Sequence, residues 1–389
     1  MTRKTGRFAY LDIGRVLACV LVVLYHAGGT ASLPKYFGSH ELEEIVALGY
    51  VRMPFFFAMS GFLLSWIYLR SDSGVSAVTF VAKRLARLFP LYWIVLCAVA
   101  AMQIFVSRQP DAVPTGWGWW ATFFLLPQDP SAVGGTGAPV IYPAWVLQYE
   151  LVAYLLLAAA LSSPLLRRAY LFGFPLLYFF LNDSSIFLLS FIGSKWLLIF
   201  WCGAFAAWMA NSLEEKHFRW ALGGALAWLA WTGLVQYSAS SGAMSGNLDI
   251  DLLYGVGFAL LMLGLARRQA ATSVGGVASI GRRGMEKVAL WSYAIFLCHA
   301  PVISLVCKVL VAAGFTGSTG WELAVGGSLL LSIAAGAVAH WTVEGPIDRA
   351  IQRMTDDLRE RYRAWASSRA MGHRVTIRAR GNGDGPPRR

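Results

Sequence analysis

Residues 11–26 read LDIGRVLACVLVVLYH. The apolar run from Val16 to Tyr25 lies between an acidic–basic couple, Asp12 and Arg15, and an imidazole, His26. With its flanks, the stretch 9–28 reaches the roughly 20 residues that a helix needs to cross the hydrocarbon of a bilayer. Its length, and the charges that interrupt it, argue against a cleavable signal segment. It is expected to remain as a membrane helix.

Nine further stretches share this character: 48–69, 88–107, 143–162, 169–182, 186–210, 218–236, 251–266, 288–313 and 321–343. The expected fold is therefore all-α, a polytopic integral membrane helical bundle of about ten transmembrane helices. The fifth and eighth stretches are short and are expected to tilt or to be half-buried. Composition agrees, because 57% of the 389 residues are hydrophobic and 14% are charged, against roughly a quarter charged in soluble domains. That charge cannot coat the polar surfaces of two or three soluble domains. An ordinary cytosolic enzyme, a disordered chain and a nucleic-acid-binding domain are excluded, despite the net charge of +12. The five cysteines (Cys19, Cys97, Cys202, Cys298, Cys307) lie in apolar runs without paired spacing, so neither a disulfide framework nor a zinc site is expected.

The distribution of charge reads as topology. With the N-terminus inside, 27 Lys and Arg fall on inner flanks and the tail, two (Lys35 and Arg108) fall outside, and four lie within spans. The positive-inside rule then supports ten spans, or another even number, with both termini in the cytoplasm. The long outer segment 108–142 carries Trp117, Trp119 and Trp120; it is expected to lie on, or dip into, the outer interface, where indole rings reside. Residues 1–348 form the expected membrane domain. Residues 349–389, with eleven Lys/Arg against four Asp/Glu, form a basic cytoplasmic tail. The tail is expected to begin as an amphipathic helix on anionic lipid and to end disordered.

Ionisable groups inside a membrane are costly, which makes each a functional candidate. Arg15 and His26 are eleven residues apart, nearly on one helical face and about 16 Å apart along the axis. A buried neutral imidazole suits a general base; its bland alternative is a hydrogen-bonded packing histidine. Arg52 either snorkels to the interface or faces the interior. Ser60-Gly61 reads as close helix packing, because no nucleophile elbow surrounds the serine. Lys83, Arg84 and Arg87 sit at the cytoplasmic mouth of the third span, with the two arginines on one face. They are read as topology or as a phosphate clamp. The loop 266–284, with Arg267, Arg268, Arg282 and Arg283, has the same two readings and contains no P-loop. Glu150, deep in the fourth span, needs a cation, and Arg15, Arg52 and Lys195 are the candidates. His299 is expected to be structural. His340 and Glu344, four apart, are expected to form a cap or an ion pair, and these three residues make no recognisable metal site.

Taken in order, these fragments resemble the bacterial membrane acyltransferase family three, from about residue 8 to 348. The matching pieces are LDxxR with the R-x10-H spacing from Arg15 to His26, FFxxSGFLL at 56–64, RxxRLFPLYW with Arg84 and Arg87, the Trp145–Glu150–Tyr154 pattern, SYxxFLxHxP with Ser292, Tyr293, His299 and Pro301, and VEGP. Ile13-Gly14 replaces the family's common Gly-Leu. The resemblance implies an O-acyltransferase using acyl-CoA, usually acetyl-CoA, from the cytoplasm, with no metal. The acceptor is a sugar hydroxyl on an extracytoplasmic or lipid-linked glycan. His26 is implied as the essential histidine, acting as base or transient acyl carrier, and Arg15, Arg84, Arg87 and Glu150 as motif residues. Lys83, Arg282 and Arg283 are added as donor-phosphate candidates from their charge and place. Expected partners are acyl-CoA, the glycan and membrane lipid, and no nucleic acid. The competing reading is a polytopic transporter or exporter, against which stand the missing internal repeat and the ordered motifs.

Overall fold

The computed structural model describes residues 9–38, 51–69, 75–240, 249–266, 278–354 and 357. Arg267, Arg268 and most of the basic tail lie outside the described residues, and so do the side chains of Arg282 and Arg283. Among the described residues all regular structure is helical. The long elements are α1 (Ala9–Ala31), α2 (Arg52–Tyr68), α3 (Ala77–Ala101), α4 (Gly116–Phe123), α5 (Trp145–Ser162), α6 (Phe174–Leu181), α7 (Lys195–Met209), α8 (Glu215–Ser240), α9 (Ile250–Leu265), α10 (Ala278–Ala312) and α11 (Gly317–Ala339).

Among the described residues, six stretches are long and apolar enough to cross a membrane: Tyr10–Ala31, Ala77–Val106, Tyr142–Ser162, Phe187–Met209, Gly284–Ala312 and Gly317–Met354. The chain is a helical membrane bundle, but the expected ten spans are not all reached by this measure. The four remaining candidates fall short for different reasons. The described part of α2 has 17 residues and α9 has 16, each below the length that crosses without help. Helix α8 is 26 residues long, but it opens on Glu215, Lys216, His217 and Arg219. The expected span 169–182 lies at the end of one helical run, 164–181, that carries Arg167 and Arg168 and contains a π turn, Ala169–Gly173, before the eight-residue α6.

Small residues set the tightest packing. Helices α2 and α7 approach so closely that a methyl group at Gly61 would overlap the Phe200 carbonyl, and one at Gly203 the Ala58 carbonyl. This is the close approach expected from Ser60-Gly61, with its partner now identified. Elsewhere α10 packs on α11 and α1, and α9 on α8 and α7. Large apolar side chains such as Leu17, Phe105, Phe179, Phe180 and Leu330 face outward, as suits a lipid-facing surface.

The segment 108–142, expected on the outer side, packs into the bundle. The last carbonyls of α4 receive side-chain donors from α3, the Thr122 carbonyl in addition to the Leu125 N–H. The Tyr92 hydroxyl donates to the Thr122 carbonyl at 2.6 Å and the Trp93 indole to the Phe123 carbonyl at 2.9 Å. Tyr92 lies nine residues before the end of α3, about 14 Å along the axis. The buried Gln148 amide donates to the Leu126 and Gly137 carbonyls. Irregular backbone at membrane depth persists only when it is satisfied in this way. Trp117 and Trp120 stay exposed.

The three helix ends expected on the outer side do converge. Lys35 and Tyr36 after α1, the π turn Met102–Val106 after α3, and Ser304 to Ala312 of α10 line one cleft of about 700 Å³. Lys308 donates to the Ser107 hydroxyl across it at 3.3 Å.

Candidate active site

Two polar clusters lie along α1, one near each end. The inner one is built from short helical spacings. Asp12 and Arg15, one turn apart, approach to 3.9 Å. On α5 the Tyr154 hydroxyl donates to Glu150 Oε1 at 2.5 Å, again one turn apart. On α3, Arg84 lies among the rings of Tyr68, Phe80 and Tyr154, 5.7 to 5.8 Å from their centroids, in cation–π range. Arg87, one turn on, is exposed. The charges of Arg84, Arg87 and Arg15 all act on Glu150. Of the three cations considered for this carboxylate, Arg15 is therefore the one present.

The other two cations are elsewhere. Lys195 pairs with Asp251 at 2.6 Å and with Asp249 at 3.2 Å. Arg52 is 8% exposed, with its guanidinium 3.7 Å from the Tyr25 ring centroid, so it faces the interior and does not snorkel. Two further contacts close the inner cluster. Tyr293 of α10 donates to the Leu88 carbonyl at 2.6 Å, pinning α10 to α3 one residue beyond Arg87. His340 and the buried Glu344 meet at 2.7 Å in the π turn that ends α11, the expected i, i+4 pair, and Arg87 acts on Glu344 as well.

The outer cluster centres on His26. Its half-buried ring stands edge-on to Tyr25 at 5.3 Å and to Tyr142 at 6.0 Å. Tyr142 begins the turn leading into α5 and is 54% exposed, so the dipping outer segment brings an accessible edge to the imidazole. The third neighbour is His299, whose ring centroid is 5.2 Å from that of His26. Each histidine sits on its own apolar helix, and helical spacing on one span says nothing about which residue of another span it meets. The signal that existed was the fragment SYAIFLCHAP itself.

The arrangement has an acid–base pole and a cationic pole on one bundle. The inner pole offers guanidinium groups suited to phosphate oxygens. The outer pole offers an imidazole that can move a proton. A family model described as an acyltransferase domain matches residues 8–340, which is most of the chain.

The chain belongs to acyltransferase family three.

Two relatives agree with this membership. The exopolysaccharide production protein ExoZ of Rhizobium meliloti (strain 1021) is 26% identical over 299 residues, covering 74% of this chain and 87% of ExoZ. The acyltransferase MdmB of Streptomyces mycarofaciens is 25% identical over 353 residues, covering 80% of this chain and 84% of MdmB. No solved structure matches. As a family-three protein the chain is a membrane acyltransferase, and the transporter reading falls away. The matched region runs from before Asp12 to His340, and of the residues in the two clusters it leaves out Glu344.

Proposed function

We propose that this acyltransferase moves an acyl group, acetyl in the first instance, from cytoplasmic acyl-CoA to a sugar hydroxyl of an extracytoplasmic or lipid-linked glycan. One observation carries the reading. A single helix, α1, joins the arginine cluster to the imidazole cluster, about 16 Å apart along its axis. A donor with a phosphate-rich head and a long thin arm fits that separation. Its head would meet Arg87 and Lys83, with Arg282 and Arg283 as further candidates, while its thioester would meet His26.

In the base route, His26 takes the proton from the sugar hydroxyl as the oxygen bonds to the thioester carbonyl carbon. The carbon–sulfur bond breaks, and the departing thiolate recovers that proton from the imidazolium. In the carrier route, an imidazole nitrogen bonds to the thioester carbonyl carbon and the carbon–sulfur bond breaks to release the thiolate; the sugar oxygen then takes the acyl group from that nitrogen, which receives the hydroxyl proton and returns it to the thiolate. Both routes need one bare nitrogen on His26. Arg15, Glu150 and Arg84 hold the inner cluster together by charge. The name of ExoZ, a protein of exopolysaccharide production, supports a glycan acceptor.

The charge count supports an inner-membrane protein with both termini cytoplasmic and the 349–389 tail against anionic lipid. The test is mass spectrometry of surface glycans from a deletion strain and its complemented counterpart. An acyl mass lost on deletion and restored by the native gene, but not by His26→Ala, is the expected result. Unchanged glycan acylation in the deletion strain would refute a glycan acceptor.

A further inference from the structure

We propose that His299 is the positioning residue for His26: its Nε2 accepts the His26 ring N–H and so leaves the other His26 nitrogen bare toward the reacting hydroxyl or thioester. The inference rests on the reading of His26 given above.

The first support is the tautomer. His299 Nδ1 lies 2.6 Å from the Phe296 carbonyl oxygen. A carbonyl only accepts, so Nδ1 carries the proton. In the neutral ring, Nε2 then holds a lone pair. The second support is burial. His299 is 0% exposed, and Nε2 has no hydrogen-bond partner among the described residues. A buried acceptor left without a donor costs free energy that folding alone does not recover. The third support is placement. The neighbouring titratable ring is His26, at 5.2 Å between centroids. At that separation, facing ring nitrogens come to roughly 3 Å, the length of a hydrogen bond. His26 is half-buried and is held by ring contacts with Tyr25 and Tyr142, so a turn of its ring completes the bond. Catalytic hydrogen bonds commonly tighten in this way only when substrate arrives. Arg52, stacked on Tyr25, is the charge acting on both rings.

The consequence is a chain of fixed protons: Phe296 carbonyl, His299 Nδ1–H, His299 Nε2, His26 N–H, and a bare His26 nitrogen. As His26 takes up the substrate proton, its far N–H strengthens the bond to His299, and no proton leaves His299. The role is to set the tautomer and to bear part of the charge, as the third member of a catalytic triad does.

Two substitutions separate this role from packing. In His299→Asn the side-chain amide keeps a donor for the Phe296 carbonyl and loses the acceptor at the Nε2 position. In His299→Gln an amide oxygen is restored near that position. Transfer is measured in membranes, with radiolabelled acetyl-CoA and surface glycan extracted from a deletion strain, per unit of folded protein. The expected result for His299→Asn is a fall in kcat of about a hundredfold or more, with both KM values within about threefold of native. His299→Gln should recover about tenfold of that loss. The pair His26→Ala/His299→Asn should be no slower than His26→Ala alone, because the two act as a unit.

A fully active His299→Asn beside an inactive His26→Ala would overturn the positioning role and leave the proposed function standing. Full activity in both would overturn the proposed function itself. If His299→Asn does not fold, nitrogen NMR of native protein carrying labelled histidine decides, with assignment by difference from His299→Gln. An unprotonated Nε2 at His299 is expected, and a protonated one contradicts the inference.

Discussion

The two ends of α1 are built in opposite ways. At the inner end, polar side chains lie one helical turn apart on their own helices: the ion pair of Asp12 with Arg15, the hydrogen bond from Tyr154 to Glu150, and the two cations Arg84 and Arg87. At the outer end, the decisive contact joins His26 to His299, from opposite ends of the chain, with Tyr142 from the middle. The inner cluster is a local device repeated on three helices. The outer cluster exists only once α1, α10 and the dipping segment have assembled. An isolated ion in lipid is costly, so each inner charge needs a counter-charge or a hydrogen bond within reach. An imidazole is neutral and can wait for its neighbours.

If the outer cluster carries the chemistry and the inner one holds the donor, substitutions should split along that line. The largest effect belongs to His26→Ala. Transfer should fall by a factor of about 10³ or more while the protein still purifies as a folded species by fluorescence size-exclusion chromatography. Near-native turnover would reduce His26 to a packing residue.

The inner pair of arginines should come next, and should differ from one another. Arg87 is exposed at the mouth. Losing one charge-assisted contact, worth about 1.5–3 kcal/mol, should raise the donor KM by roughly ten- to a hundredfold. Arg87→Lys should recover part of it, because lysine lacks the fork. Arg84 instead lies among three rings beside Glu150. Arg84→Ala should lower the amount of folded protein as well as donor affinity. Calorimetry with acetyl-CoA on each purified variant checks both statements, and equal behaviour of the two would erase the distinction drawn between them.

How much of this was legible beforehand follows the same division. The membrane bundle and the i, i+4 pair His340–Glu344 are local or summed properties, and a linear sequence displays them. The pairing of α2 with α7 was half legible. Gly61 announced a close approach, but Phe200 and Gly203 could not be named, because nothing on one helix identifies the helix that it faces. Lys195 was a plausible partner for Glu150 until Asp249 and Asp251 were found beside it. The π turn within 169–182 was not legible, because apolar content does not reveal the hydrogen-bond pattern inside a helix. His299 was read as structural because its contact with His26 comes from another helix, which the fragment around it does not display.

Smaller effects should follow packing. Gly61→Ala places a methyl group against the Phe200 carbonyl, and overpacking of this kind costs about 1–3 kcal/mol. The variant should melt several degrees lower in detergent, with turnover per folded molecule near native. A melting temperature equal to native would mean that α2 and α7 are not tightly apposed. The smallest effect belongs to Lys195→Ala. Its ammonium serves two aspartates away from both clusters, so turnover should stay within about threefold of native, on the scale of roughly 0–1 kcal/mol for a partly exposed ion pair. A large loss of transfer would bring Lys195 back into the site.

The central claim is that one bundle takes its donor at the arginine end and delivers at the histidine end. Sealed vesicles of defined orientation, given membrane-impermeant acetyl-CoA from outside, test it directly. Inverted vesicles, with the Arg87 side outward, should transfer acetyl groups to glycan held within, and right-side-out vesicles should not. Transfer by right-side-out vesicles at an equal rate would contradict the account.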